Sequence, residues 1–288
     1  MKICVKCGQS VVSHKDRCAS CRDQPQKING HVAFAPKLAQ DNEGFDPENF
    51  ATLFDLEANH FWFRARNRLI VWALRTYFPE ASNFLEIGCG TGFVLSGIRQ
   101  ALPKLDLCGS EIFPAGLSFA AQRLPGVELF QMDARRIPFQ EEFDVIGAFD
   151  VLEHIKEDEE VLAQMYQATC KPGGIVVTVP HHPFLWSAVD TCSRHVRRYE
   201  TRELRTKIER AGFSIVRITS FVSLLLPMLI ISRFRMGRSG AAPDNSEVSP
   251  PRLINAAFER ILDVERTIIR AGLSLPAGGS LLMVARRN

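Results

Sequence analysis

The chain has 288 residues, of which 46% are hydrophobic and 23% charged, with a net charge of +3. That length suits one large α/β domain plus a small appendage, and the composition excludes a disordered or fibrous chain. So small a net charge selects neither a nucleic acid nor an acidic partner.

The first pattern is C-x2-C, ten residues, C-x2-C, over Cys4, Cys7, Cys18 and Cys21. Two intervening residues let both thiolates of a pair reach one ion from a tight turn. Four thiolates close a tetrahedral zinc site with no open position, so the site is structural. Gly8, after the second cysteine, suits such a turn. The spacer contains "SVVSHK", expected to form a small hairpin. Disulfides or free thiols are the alternative. The opening "MKICVKCGQS" lacks a secretory apolar core, so a reducing cytoplasmic location is expected. Residues 1–25 therefore read as a zinc-ribbon-like module that needs its ion to fold. The polar, Gly- and Pro-containing stretch 26–48 reads as a linker, and 49–288 as the main domain.

Phe84 to Ile87 is a short apolar strand, and Gly88, Gly90 and Gly92 form a loop into a helix over 93–101. Such glycines let the backbone approach a ligand. Glu111 stands 19 residues beyond Gly92, at the end of the strand "LDLCGSEI", where an acid suits ribose hydroxyls. A dinucleotide fingerprint needs glycine at 93, where Phe93 stands. Glu86, just before the first glycine, repels a pyrophosphate and suits a cationic ligand.

The segment "LEIGCGTG" (85–92) resembles the first motif of class I S-adenosylmethionine-dependent methyltransferases. "FQMDARRIPF" (130–139), "FDVIGAFDVLEHI" (143–155) and "CKPGGIVVTVP" (170–180) resemble the later motifs in the expected order. "HFWFRARNRLI" (60–70) resembles the aromatic-arginine entry segment of one bacterial branch. The resemblance covers roughly 55–221 and the last strand. It implies S-adenosylmethionine as cofactor. Glu86, Gly88, Cys89, Gly90, Thr91 and Gly92 would line its methionine part. Glu111 and Ile112 would take the ribose, and Asp133 and Ala134 the adenine. Phe149 and Asp150 would flank the cofactor, and Arg64 would close over the methionine carboxylate. His154 is expected to support its loop.

Strands near 83, 106, 127, 143 and 175 alternate with helices, the pattern of an α/β, Rossmann-like, doubly wound sheet. "SIVRITSF" and "SLLMVARR" complete seven strands. Between them lies a mostly helical insertion, 222–279. Its uncharged run, Phe221 to Ser232, is 12 residues long, where a bilayer span needs about 20. That run either covers the acceptor pocket and core or lies in a membrane interface, with Arg233, Arg235 and Arg238 on lipid phosphates. Peripheral membrane contact would thus run through 221–238, on the cytoplasmic face. "GRSGAAPDNSEVSPP" (237–251) reads as a flexible loop, and the apolar stripe after it as core packing.

Methyl transfer from a sulfonium is an in-line displacement, so the enzyme mainly positions the acceptor. An oxygen or nitrogen acceptor also calls for a base near neutral pH. Candidates follow the fifth strand of the family pattern: His181, His182 and Asp190 in "PHHPFLWSAVD", then His195 and Tyr199, with Phe184 and Trp186 as an apolar wall. The expected acceptor is a small molecule, glycan or lipid. The rivals are an RNA methyltransferase gripping RNA with its ribbon, and a non-catalytic cofactor-binding module. The ribbon carries Lys2, Lys6, Lys15, Arg17 and Arg22 but no aromatic, which weighs against RNA.

Overall fold

Runs such as "NFLEI" (83–87) and "GIVVTV" (174–179) are apolar on both faces, as strands buried between helix layers must be. The computed structural model describes residues 1–13, 17–40, 46–239 and 250–288, with side chains throughout except at 40 and 234–239. The expected loop therefore lies outside the described residues over 240–249, as do His14, Lys15 and Asp16 and the side chains of Arg235 and Arg238.

The strands are β1 (Lys2–Ile3), β2 (Ser10–Val11), β3 (Gln26–Ile28), β4 (His31–Ala33), β5 (Asn83–Ile87), β6 (Asp106–Glu111), β7 (Glu128–Gln131), β8 (Phe143–Phe149), β9 (Thr169–Pro180), β10 (Ser214–Phe221) and β11 (Ser280–Arg287). The helices are α1 (Asn49–Glu57), α2 (Phe61–Tyr77), α3 (Phe93–Ala101), α4 (Pro114–Arg123), α5 (Asp158–Ala168), α6 (Ala188–Cys192), α7 (Thr201–Arg210), α8 (Leu226–Ser239) and α9 (Arg252–Arg270). All seven expected strands of the doubly wound sheet are present. Their order is β10-β11-β9-β8-β5-β6-β7. β5 pairs in parallel with β6 on one side and β8 on the other, so the winding reverses there. That reversal opens a crevice at the carboxyl ends of these strands. Side-chain alternation splits the core. Leu85 and Val177 join one cluster with Ile146 and Leu204, and Phe84 and Val176 join the other with Ile70 and Leu282.

The stretch 26–48 is not all linker, because β3 and β4 form a hairpin that extends the sheet to nine strands. Val32 and Ala33 pair with Phe130 and Gln131 of β7. The turn is Asn29-Gly30, both at positive φ, the pairing that a two-residue hairpin turn demands. In the N-terminal module, β2 pairs with β1, and the hairpin expected in "SVVSHK" lies partly outside the described residues. The module also touches the main domain, since Ile3 N–H donates to the Pro138 carbonyl at 3.0 Å.

The insertion packs on the body through α9, which buries Leu262 and Ile269 while Leu253 stays 87% exposed. The expected core stripe is therefore only partly core. Two ion pairs, Arg64–Glu259 and Arg68–Glu259, tie α9 to α2.

Asp158, at the start of α5, joins the segment after β9 to the body. Its Oδ2 accepts from Tyr199 Oη at 2.6 Å and Lys207 Nζ at 2.7 Å, and pairs with Arg197 at 2.6 Å. Tyr199 is fully buried here. Tyr199→Phe deletes one donor to an enclosed carboxylate and is expected to cost about 1–3 kcal/mol in urea denaturation. A change below about 0.5 kcal/mol would contradict this clamp.

Candidate functional site

A cavity of about 1310 Å³ opens over the carboxyl ends of β5, β6 and β8, and α2, α8 and α9 contribute walls. Gly88, at φ +66°, passes so near Val151 that an added Cβ would stand 2.5 Å from its Cγ2. Gly90, at φ +52°, faces open space, with only a Phe50 ring carbon within 4 Å of an added Cβ. The loop is held from α1 and α4. Glu57 accepts from Thr91 Oγ1 and from Arg123 at 2.8 Å. Cys89, Gly90, Thr91, Ile112, Ala134 and Phe149 all line the cavity.

The floor is crowded with acids. Glu86 is buried and its Oε2 has no hydrogen-bond partner among the described residues. Burial pushes its carboxyl well above the usual range, against the pull of Arg66. Glu111 is also raised by burial, although the N–H groups of Phe113, Gly90 and Ile112 oppose the rise. Its Oε1 accepts from Ile112 at 2.8 Å and Phe113 at 3.2 Å, and its Oε2 only from Gly90 at 3.0 Å. Asp133 is bound by Arg135, whose Nε lies 3.0 Å from Oδ1. Asp150 is hydrogen-bonded to Arg66 and to Thr178 Oγ1.

Arg64 does not reach the cavity. Its side chain is 43% exposed and pairs with Glu259, while Arg66 is 8% exposed, lines the cavity and stacks over Trp62 at 4.4 Å. Two helical residues are about 200° apart, so only one of the pair can face inward.

The polar residues after β9 divide into two groups. His195 lines the cavity, and its Nδ1 lies 3.0 Å from Asp190 Oδ1. Asp190 is fully buried and does not line the cavity, and it also accepts from Arg198 at 2.7 Å. Burial opposes ionisation of Asp190, but the hydrogen bond from His195 and the charge of Arg198 hold its pKa down at about 2. His181 and His182 face elsewhere, into a separate depression with Phe184. The His181 ring is fixed between Ser220 Oγ at 2.9 Å and Thr201 Oγ1 at 3.1 Å, which removes it from the expected catalytic set. Tyr199 is removed too, because its hydroxyl is buried on Asp158. Trp186 does not line the cavity either. The apolar wall comes instead from α8 and α9, with Met228, Leu229, Ile254 and Phe258.

Sequence reasoning missed Arg66 and Glu153. Glu153 lies in the short 3-10 turn after β8, is fully buried, and has no hydrogen-bond partner on either carboxylate oxygen among the described residues. Burial and the neighbouring Asp150 push its carboxyl well above the usual range.

A second cluster lies in the N-terminal module. The sulfurs of Cys4, Cys7, Cys18 and Cys21 lie within 4.8 Å of one another, with Cys4–Cys21 and Cys7–Cys18 both at 3.6 Å and none of them in a disulfide. Sulfurs about 2.3 Å from one tetrahedral zinc stand about 3.8 Å apart. Two matching turns carry them, closed by Gly8 N–H to Cys4 O at 2.9 Å and Arg22 N–H to Cys18 O at 2.8 Å. N–H groups of Cys21 and Ser20 pull the Cys18 thiol down to about 6, toward the thiolate a metal needs, whereas desolvation and the neighbouring thiols raise Cys7 and Cys21, the latter to about 12.

The model of the family described as "Methyltransferase domain" matches residues 54–218. Over 110 residues, 37% of this chain and 46% of its own length, the dTDP-3-amino-3,4,6-trideoxy-alpha-D-glucopyranose N,N-dimethyltransferase of Streptomyces venezuelae is 33% identical. The phosphatidylethanolamine N-methyltransferase of Cereibacter sphaeroides is 31% identical over 140 residues, 47% of this chain and 66% of its own. The chain thus spans less than two thirds of either relative. In fold it is similar to the phosphoethanolamine N-methyltransferase 2 of Haemonchus contortus in complex with S-adenosyl-L-methionine, with a TM-score of 0.51 at 17% identity over 77% of this chain and 52% of that one. The family match spans more than half of the chain and includes the glycine loop and the acids around it, and on that ground this protein belongs to the methyltransferase-domain family.

Proposed function

We propose that this chain is an S-adenosylmethionine-dependent methyltransferase acting on a small-molecule, glycan or lipid acceptor. The observation that carries the reading is Glu86, a buried carboxylate with a free oxygen beside a glycine loop. Leaving such a group unpaired is costly, and a cationic ligand relieves it. The cofactor brings a sulfonium and an ammonium. It supplies an already activated methyl group, so the chain's own work is to bind, orient and exclude water. Glu86, with the backbone from Gly88 to Gly92, lines the methionine part. Glu111 Oε2 has capacity left for a ribose hydroxyl, beside Ile112. Asp133 and Ala134 border the adenine, while Phe149 and Asp150 flank the cofactor. Arg66, in place of Arg64, is the cation for the methionine carboxylate.

On the acceptor side, ionised Asp190 holds the proton of His195 on Nδ1 and leaves the Nε2 lone pair available. That lone pair can receive a proton from the acceptor. The relatives' activities on an amino sugar and a phospholipid headgroup support this acceptor class over RNA. Exposed Leu224, Met228 and Ile231 suit an acceptor with an apolar tail or a membrane surface beside 221–238. No helix among the described residues is long and apolar enough to cross a membrane. Cys4, Cys7, Cys18 and Cys21 hold a structural zinc.

The proposal is tested with methyl-labelled cofactor and fractionated cell extract. Label is expected in a small-molecule, glycan or lipid fraction and to fall at least tenfold with His195→Ala. Label in RNA alone would give the reaction to the rival reading, and label in no fraction would contradict it. Arg66→Ala should weaken S-adenosylmethionine binding at least tenfold in calorimetry, whereas Arg64→Ala should change it less than twofold. Equal effects would refute the assignment to Arg66. Purified protein should carry one zinc per chain, and chelation should unfold residues 1–25 while cofactor affinity stays within twofold. Metal analysis without zinc would remove the ion from the account.

A further inference from the structure

Glu153, His154 and His195 each offer one ligand atom, and these atoms lie within 4.8 Å of one another. All three line the large cavity. Both oxygens of Glu153 are buried without a hydrogen-bond partner. Neither neighbouring cation hydrogen-bonds Glu153: Arg66 bonds Asp150, and Arg198 bonds Asp190 and the His181 carbonyl. The Asp190 carboxylate fixes His195 through Nδ1, which leaves Nε2 as the nitrogen that can bind. A carboxylate behind a ligating imidazole is the usual outer support of a metal-bound histidine. The two halves of the cluster are also joined through the backbone, because Val196 N–H donates to the Glu153 carbonyl at 2.7 Å.

We propose that Glu153, His154 and His195 form a site for a divalent transition-metal ion, which binds a hydroxyl of the acceptor. Ligands about 2.1 Å from one ion stand about 3–4 Å apart, so the three groups need to close by about 1 Å. Two imidazoles and one carboxylate suit manganese, iron, cobalt or zinc better than the all-oxygen preference of magnesium or calcium. Three protein ligands leave positions open toward the cavity. This site is separate from the four cysteines, whose soft ligand set is closed. Its use in catalysis rests on the methyltransferase reading, whereas ion binding does not. In that use, His195 Nε2 holds the ion in place of a proton. A coordinated acceptor hydroxyl is acidified and gives its proton to water. An oxygen lone pair then forms the new C–O bond as the methyl–sulfur bond breaks, and the sulfonium becomes a neutral thioether.

The test uses full-length protein with its cysteine site filled with zinc. Mn2+ is titrated by electron paramagnetic resonance, and further Zn2+ by calorimetry, with S-adenosylmethionine affinity measured in parallel. One Mn2+ per chain is expected, weakened at least tenfold in Glu153→Gln and in His195→Gln, both of which keep cofactor affinity within about twofold. Cys7→Ser should leave Mn2+ binding unchanged. The proposal is overturned if neither ion binds beyond the zinc already present, or if both variants bind Mn2+ as the wild type does. Loss of cofactor binding in the wild-type protein would instead count against the proposed function, because the two affinities are read separately.

Discussion

Buried negative charge without enough positive charge beside it is the constraint around which this molecule is organised. Glu86, Glu111, Asp150 and Glu153 converge on the ends of β5, β6 and β8, and Arg66 hydrogen-bonds only Asp150 among them. Carboxylates in such a setting either stay protonated or wait for a cation. The raised carboxyls of Glu86 and Glu153 express that tension in the free protein. A site of this kind rejects a pyrophosphate and accepts a sulfonium, which separates it from dinucleotide sites built on the same doubly wound sheet.

The scaffold keeps that charge imbalance in place. Reversal of the sheet at β5 sets the glycine loop and Glu111 side by side, and Glu111 is braced by three backbone N–H groups. α2 is held in rotation by the ion pairs of Arg64 and Arg68 with Glu259 of α9. Outward Arg64 and inward Arg66 are thus two consequences of one helix orientation. The insertion that supplies α8 and α9 closes the cavity from above and gives it an apolar wall. The acids and the apolar wall thus line one space.

Much of this was legible beforehand, and for physical reasons. Strands buried on both faces carry apolar runs, so the starts of β5 to β8 and both ends of β10 and β11 were found to within about a residue, whereas β9 begins earlier than expected, at Thr169. The glycines and Glu86 announced a cationic ligand. What was missed depends on quantities that a single sequence does not fix. The phase of α2 decides between Arg64 and Arg66, and it is set by α9, nearly 200 residues away. The direction in which the chain leaves β9 sends His181 and His182 away from the cavity. Glu153 in "DVLEHI" reads as a surface acid until the turn around it is seen to be buried. The β3–β4 hairpin had a usable signal in "KINGHVA", where Asn-Gly sits between two short alternating runs.

The central claim is that the cofactor completes a deficit of positive charge. Its most direct measurement is a calorimetric titration of S-adenosylmethionine into the protein in buffers of different ionisation enthalpy, at several pH values. Folded, ligand-free carboxyls at Glu86 and Glu111 are raised, and a bound cation lowers them again. Binding must then release protons, and affinity must rise as pH climbs from the ordinary carboxylate range toward neutrality. It levels off once those groups are ionised without ligand. Binding without proton release, at an affinity flat or falling over that range, would contradict the account.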